Sequence, residues 1–278
     1  VSFAEKPRHV VLNNSFWFPS AYVLLLCTTL SSHPVQARQP KIVEVPAGPA
    51  FVKLPGSSEK NALSGQALQV NTLLRTSKPG RMQVMLGDGR QFRMGGDAVL
   101  RLRRSSVELL KGSMIGWIKP GTQQSSPLKI RTRLATASIQ GTTVLVALND
   151  EQFQVFSWEG TVRVETANGQ RFTLTSGEQL LLDLKRQMDD VRGQLDNLEA
   201  VLGQLGDSTP AVLTGKDRIQ GRRPSETDQS PQWEPPESVS TQEAESRLQK
   251  SLLINGFSTT LETLPVIERE LGFSDPAR

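Results

Sequence analysis

The chain has 278 residues and a formal net charge of +4, a length that fits one or two globular domains. It contains 2 His, 1 Cys and 1 Tyr, and all four lie in the N-terminal region that ends at residue 37. The remaining sequence therefore excludes a Ser-His-Asp triad, a Cys nucleophile and a Cys or His zinc site. It also excludes disulfides, so the fold must depend on its hydrophobic core.

Residues 1–37 have the organisation of a secretory signal peptide. Lys6 and Arg8 precede an apolar stretch that is shorter than the ~20 residues a membrane-spanning helix needs. Val35 and Ala37 are small residues at the two positions that a signal peptidase reads. We therefore expect cleavage after Ala37 and a periplasmic or secreted protein. An uncleaved signal that anchors the chain in the inner membrane is the alternative.

Residues 38–64 form an extended lead-in that contains four prolines, and residues 42–45 are a candidate edge strand. Residues 65–184 then show short alternating runs separated by turn signals, which is the pattern of a β-domain. Val162 and Val164 alternate with polar residues before the turn at Asn168-Gly169, a strong hairpin signal. The predicted fold class is mainly β, an antiparallel β-sandwich or flattened β-roll with one buried and one wet face.

The region from residue 65 to residue 184, under half of the chain, resembles the FecR domain of bacterial envelope proteins. The resemblance depends on the order and spacing of three strand patterns. The matching residues are Thr132, Ala135, Gly141, Thr142 and Val146, then Val155, Gly160, Val162 and Val164, then Leu174, Gly177 and Glu178. Two positions depart from the family pattern, since Gln140 replaces an Arg and Val144 replaces a Phe.

The resemblance implies a domain outside the inner membrane that receives a signal from an outer-membrane receptor, while a cytoplasmic segment controls a sigma factor. Here the stretch before the apolar segment is too short for such a cytoplasmic domain. We therefore expect an exported, non-enzymatic interaction or sensory module with an envelope protein or receptor domain as partner and a link to FecR-type signalling. The residues Gly141, Thr142, Gly160, Gly177 and Glu178 would serve the family fold.

Residues 185–206 change the hydrophobic period and predict an amphipathic helix. The apolar positions recur in steps of four and three, which is a heptad pattern. They are Met188, Val191, Leu195, Leu198 and Leu202. Two interpretations remain open: a single helix packed on its own β-domain, or a short coiled coil that joins two copies. Gly193 and Gly203 weaken the helix by ~1 kcal/mol each.

The C-terminal part of the chain is polar and acidic. Residues 207–243 predict a disordered linker with Trp233 as a candidate docking point, and residues 244–278 predict a tail of short helices that either docks or is marginally folded. Residues 66–184 carry 15 Lys and Arg against 9 Asp and Glu, a net +6, whereas residues 207–278 carry 8 against 12, a net −4. This asymmetry favours self-association or an anionic partner.

The cations of the β-domain give a candidate binding site on its wet face. The residues placed there are Arg101, Arg103, Arg104, Arg131 and Arg133, together with Arg90 and Arg93. They form either an ordinary solvated surface or a contact for an anionic partner, so a structural or glycan-binding envelope protein is the alternative function, with binding that weakens in salt. No catalytic residue, metal site or cofactor is predicted, and an exported chain without interleaved aromatics does not predict nucleic-acid binding.

Overall fold

The computed structural model describes residues 39–118, 127–206 and 233–273. The predicted signal peptide, and the predicted linker as far as residue 232, lie outside these residues. The described parts contain fifteen strands and four helices. They are β1 (Lys41–Ala47), β2 (Ala50–Lys53), β3 (Lys60–Asn61), β4 (Leu73–Thr76), β5 (Arg81–Met85), β6 (Gln91–Leu102), β7 (Ser106–Trp117), β8 (Leu128–Arg131), β9 (Ala135–Ile139), β10 (Thr143–Leu148), β11 (Gln152–Glu159), β12 (Val162–Thr166), β13 (Arg171–Leu174), β14 (Glu178–Asp183), α1 (Leu184–Gly206), β15 (Glu237–Ser238), α2 (Thr241–Lys250), α3 (Leu252–Asn255) and α4 (Leu264–Leu271).

The long hairpin of β6 and β7 organises the sheet, because each of these strands has 12 residues and pairs with different neighbours along its length. The first part of β7 pairs with β8 and its last part pairs with β10. Two branches therefore leave β7, in the orders β8-β9-β12-β13 and β10-β11-β14-β15. On the other side, β6 pairs with β4 through one part and β5 through another.

The two branches enclose the main hydrophobic core. Gly116, in the last part of β7, faces β8 and β9, and a Cβ there would lie 3.2 Å from side-chain atoms of both Leu128 and Ile130. The alternating apolar residues of β10, Val144, Val146 and Leu148, are buried in the same core. Branching thus turns one connected sheet into two layers that share a core, which is how a sheet buries one face.

The predicted mainly antiparallel β fold is confirmed. Within the described strands, β7 and β8 form the one parallel pair. The alternation read around the Asn168-Gly169 turn is also present, since Val162 and Val164 are buried while Arg163 and Glu165 are exposed. The predicted lead-in belongs to the sheet, since β1 contains the candidate edge strand of residues 42–45, and β2 and β3 add two strands that the sequence did not indicate.

The C-terminal segment, defined here as residues 233–273, is ordered and lies on the sheet. Residues 233–243 belong to the predicted linker, yet Trp233 packs edge-on against Phe153 at 5.6 Å and β15 extends the sheet beside β14. Helix α2 begins after Ser240, whose hydroxyl accepts from the backbone N–H of Glu243 as an N-cap. The predicted linker therefore ends by residue 233, and the predicted helical tail docks.

Helix α1 leaves the sheet at the end of β14 and exposes its apolar stripe. The exposed fractions are 68% for Met188, 44% for Val191, and 56% for both Leu195 and Leu198. The interpretation of a helix packed on its own β-domain therefore does not hold for these four residues. None of the helices in the described ranges is both long and apolar enough to cross a membrane.

Two glycines with the same backbone requirement provide a test of the branched sheet. Gly112 in β7 has φ 88°, and a Cβ there would lie 2.3 Å from the Cα of Ala98, whereas Gly141 has φ 66° and nothing within 4 Å. Gly141→Ala should cost about 1–2 kcal/mol for the left-handed backbone alone. Gly112→Ala should cost about 1–3 kcal/mol more from overpacking. Urea unfolding of both variants measures the difference, and equal losses would contradict the close approach of β6 and β7.

Candidate functional site

The sheet has an outer face, turned away from the main core, on strands β5, β6, β7, β10, β11 and β14. A row of six side chains crosses this face, with one side chain from each strand. The strand registers place these residues opposite one another in turn. The row, called the central row below, is Gln83, Arg93, Ile115, Leu145, Phe156 and Gln179. It is polar at both ends and apolar in the middle, and the C-terminal segment lies on it.

A second hydrophobic cluster joins this face to the C-terminal segment. From the sheet it contains Ile115, Trp117, Phe156 and Trp158, and from the segment it contains Ala244, Leu248, Leu253, Ile254, Leu261 and Ile267. Phe156 and Trp158 meet edge to face, with ring centroids 4.8 Å apart. Aromatic side chains bury large apolar areas, so this cluster supplies the main attraction for the segment.

Arg93, near one end of the central row, holds the middle of the segment. Its side chain is fully buried, and its guanidinium donates to the carbonyl oxygens of Ile254 at 2.9 Å, Leu253 at 3.2 Å and Thr259 at 2.5 Å. The Nε atom donates to Gln83 at 2.9 Å. Each of these hydrogen bonds uses an N–H group of the planar guanidinium, whose fixed fork of donors distinguishes Arg from Lys.

The carbonyls that Arg93 binds belong to the end of α3 and the loop after it, where a helix leaves its last carbonyls without intrahelical partners. Burial lowers the pKa of Arg93 to about 10, so the group remains a cation near neutral pH. The rings of Trp117 and Phe257 lie 5.3 and 4.3 Å from its central carbon. A cation on the sheet thus recognises backbone oxygens of the segment, with aromatic faces around it.

Gln179 holds the segment at the other end of the central row. Its amide nitrogen donates to Glu237 in β15 at 2.7 Å, and its amide oxygen accepts from Arg247 in α2 at 2.9 Å. The backbone of β15 pairs with β14 at the same place. The segment is therefore held by side chains and by strand addition at once.

Glu159 lies at the third contact, where α4 meets the end of β11. Thr143 Oγ1 donates to its carboxylate at 3.0 Å, and Thr263 Oγ1 lies 2.7 Å from the same hydroxyl. The pKa of Glu159 is raised to about 7, mainly by burial; the Thr143 hydrogen bond opposes the shift and the nearby Glu270 adds to it. Glu270 itself accepts from the backbone N–H of Gly160 at 2.8 Å.

The residues of the family pattern lie around this contact. Gly141, Gly160 and Gly177 all have positive φ, the conformation that glycine adopts most easily. Two of them touch the segment, since Gly160 donates to Glu270 and the carbonyl of Gly177 accepts from Val239 at 2.8 Å. Thr142 is buried, and Glu178 accepts from the backbone N–H of Thr175.

The predicted basic residues lie elsewhere, near the end of β6, the start of β7 and the end of β8. Arg101 and Arg103 both pair with Glu108, at 3.6 and 2.7 Å. Arg131 is opposite Glu108 in the strand register and is exposed, as are Arg104 and Arg133. The structure therefore brings Arg101, Arg103 and Arg131 together around Glu108, and a binding site formed by all five residues stays a prediction.

Arg90 and Arg93, which the sequence placed on the same wet face, are both buried, and this part of the prediction is wrong. Arg90 donates to the carbonyl of Pro127 at 2.6 Å and pairs with Asp88. The docking role of Arg93 was missed because its partners are backbone atoms about 160 residues away. One signal was present, since Phe153, Val155, Phe156 and Trp158 make both faces of β11 apolar, and a strand buried on both faces needs a second covering layer.

The described residues contain no cluster of three or more Asp, Glu, His or Cys side chains that would hold a metal ion.

Comparisons with known proteins agree with the strand patterns. Residues 72–163, about a third of the chain, match the family model described as FecR protein. Two crystal structures of a candidate anti-sigma factor from Parabacteroides distasonis are similar in part, with 22% identity each and TM-scores of 0.37 and 0.34. They cover 41% and 42% of this chain, which spans 56% and 54% of theirs. No curated protein matches the chain.

Replacing Arg93 by Lys should loosen the C-terminal segment without unfolding the sheet. Lys keeps the charge but loses the fork that reaches three carbonyls, and hydrogen bonds to a charged group contribute ~1.5–3 kcal/mol. Amide hydrogen exchange in residues 252–273 should then quicken by at least about tenfold, while exchange in β10 stays unchanged. Arg101→Lys is the matched control. Unchanged exchange, or a uniform rise over the whole chain, would contradict the role of Arg93.

Glu159 should make stability depend on pH. Its folded pKa of about 7 lies above the ordinary value of 4.5, so the folded state binds more protons between these values. Stability should therefore fall as pH rises from about 4.5 to about 7. Glu159→Gln keeps an acceptor for Thr143 and should remove most of this dependence, whereas Glu165→Gln, on the exposed side of β12, should keep it. Urea unfolding at several pH values tests this, and parallel profiles for the wild type and Glu159→Gln would refute it.

Proposed function

We propose that this FecR-domain chain is an exported, non-enzymatic interaction module of the bacterial cell envelope, linked to FecR-type signalling. The observation that carries the proposal is the docking of the C-terminal segment on the central row. The sheet binds a polypeptide there through backbone carbonyls, an apolar cluster and strand addition. These are the contacts by which domains recognise peptides.

The non-enzymatic part of the proposal is supported by the use of the buried charged groups. Arg93 is spent on carbonyls of the segment, and Glu159 lies among the hydroxyls of Thr143 and Thr263. Arg93 thus binds the segment directly, and Glu159 is linked to it through the Thr143 hydroxyl. Export is supported by the charged start, apolar stretch and cleavage pattern of residues 1–37.

The partner site that we propose is the free side of β13. This strand ends the strand order and pairs with β12 alone among the described strands. An exposed edge presents unpaired backbone groups to another chain. The opposite end of the order, beside β14, already receives β15 from the same chain, so the sheet demonstrates strand addition within one molecule.

We also propose that α1 joins two copies of the chain. Its stripe is exposed, narrow and spaced by heptads, which is the arrangement of a coiled-coil seam. Arg192 and Glu199 flank the stripe at equivalent heptad positions and have opposite charges. In an antiparallel pair of helices, Arg192 of one copy would lie near Glu199 of the other. These opposite charges favour a second copy of the chain as the partner of α1.

A second candidate function rests on the basic surface of the first branch. The strand register places Arg101, Glu108 and Arg131 in one row, and Lys129 lies two residues from Arg131 on the same side of β8. Arg163 and Arg171, on β12 and β13, are exposed further along. This concentration of cations would suit an anionic polysaccharide of the envelope, in a structural or glycan-binding role.

Photo-crosslinking in the native host tests these proposals together. The crosslinking amino acid p-benzoylphenylalanine is placed at Leu195 in the stripe of α1 or at Thr173 in β13. We expect a covalent dimer of the chain from Leu195 and an adduct with an envelope protein from Thr173. Sequencing of the recovered chain should show an N-terminus at Arg38.

Matched positions control for non-specific reaction. Asn197 lies on the side of α1 opposite Leu195, and Ser58 is exposed in the loop before β3. Equal adducts from these positions would contradict both assignments. Cell-wall fragments as the sole products would reject the protein partner and favour the basic surface. A recovered chain that keeps residues 1–37 would reject export by cleavage.

A further inference from the structure

A groove runs along the outer face beside the central row, where the next row of side chains is small. The register places Gly95, Ser113 and Ala147 side by side on β6, β7 and β10. Leu145 forms one wall from the sheet, and Leu253 of α3 forms another from the C-terminal segment. The cavity has a volume of about 550 Å³, which lies within the range of small-molecule sites.

The lining is mostly apolar, and its polar residues are Ser113, Ser251 and three cations. Leu252 of α3 also lines the cavity, with 59% of its surface exposed. The cations are Lys78, Arg81 and Lys250, and the lining contains no carboxylate. Among the described residues, the buried Nε atom of Arg81 has no hydrogen-bond acceptor.

Charge is distributed unevenly along the groove. Lys78 pairs with Asp97 at 3.7 Å, and beyond Gly96 the surface continues into a polar cavity whose carboxylates are Asp97, Asp150 and Glu151. Arg81 and Lys250 line the apolar cavity and not the polar one. The apolar cavity, which has cations and no carboxylate in its lining, therefore favours an anion, whereas the adjoining polar cavity with its three carboxylates disfavours one.

We infer that this groove binds a long-chain fatty acid, with its carboxylate at Arg81 and Lys250 and its aliphatic chain over Gly95, Ser113 and Ala147. This site lies beyond the proposed partner function and does not depend on it. Part of its wall is the docked C-terminal segment, so a bound chain would also contact Leu252 and Leu253.

A thin, purely apolar chain fits the floor better than a peptide does. Successive rows on one face of a sheet are only ~7 Å apart, whereas a helix with its side chains is ~10–12 Å wide. An extended peptide would need hydrogen-bond partners, but β5, β6, β7 and β10 already pair on both sides. The hydroxyl of Ser113 lies 3.3 Å from the carbonyl of Gly95, to which it donates. An alkyl chain needs none of these groups.

Isothermal titration of the full chain with dodecanoate, kept below its micelle-forming concentration, tests the inference. We expect saturable binding that weakens about 15-fold for decanoate, since each buried methylene contributes ~0.8 kcal/mol. Dodecyltrimethylammonium, with the same chain and the opposite charge, should bind much more weakly. Equal binding of the two amphiphiles would contradict a role of the lining cations in binding the carboxylate.

Two variants assign the binding to the groove. Ser113→Leu fills the floor and should weaken dodecanoate at least about tenfold, and Lys250→Ala should weaken it by up to about fivefold. Ser138→Leu on β9 and Lys60→Ala on β3 lie outside the groove and should leave it unchanged, and circular dichroism checks that all four variants are folded. Unchanged binding to folded Ser113→Leu would reject the site.

The natural occupant is tested in the host. The crosslinking amino acid p-benzoylphenylalanine at Ala147 should yield an adduct with the mass of a fatty acid. A polypeptide adduct at this position would overturn the inference in favour of a second protein-binding site. Neither result bears on the crosslinks expected from Leu195 or Thr173, so the two proposals fail separately.

Discussion

The buried guanidinium of Arg93 is the constraint on which the arrangement of this molecule depends. A cation on the outer face of a sheet is stable in water, but it becomes costly when aromatic side chains cover it. The structure resolves this cost by bringing three carbonyl oxygens of the C-terminal segment to the same guanidinium. The apolar cluster and Arg93 therefore act together, because the cluster attracts the segment and the hydrogen bonds donated by Arg93 fix its position.

The long β6–β7 hairpin places this site. Since β7 passes from one layer to the other, its last part has its inner side in the main core and its outer side under the segment. The groove follows from the same geometry, because the row beside the central row has small side chains and the segment stops at its edge. Docking face, groove and basic surface are thus three parts of one branched sheet.

The sequence predicted the elements that depend on local signals and missed those that depend on distant contacts. Alternation and the Asn168-Gly169 turn identified the β-domain, and the heptad steps identified α1 to within one residue. Arg93 was misplaced because its pattern of neighbours is that of any solvent-facing strand cation. Nothing local distinguishes it from Arg101; only the carbonyls of α3, far along the chain, make one of them buried and leave the other at the surface.

The order in which the chain is made gives the C-terminal segment a further consequence. Domains generally fold from the N-terminus as they emerge, and the sheet is complete as far as β14 long before residue 273 appears. During that interval Trp117, Phe156 and Trp158 face water together, which is the kind of surface that promotes aggregation. A nascent chain would therefore need a holding chaperone until residues 233–273 are made, and a chain that stops after α1 would keep this apolar surface exposed.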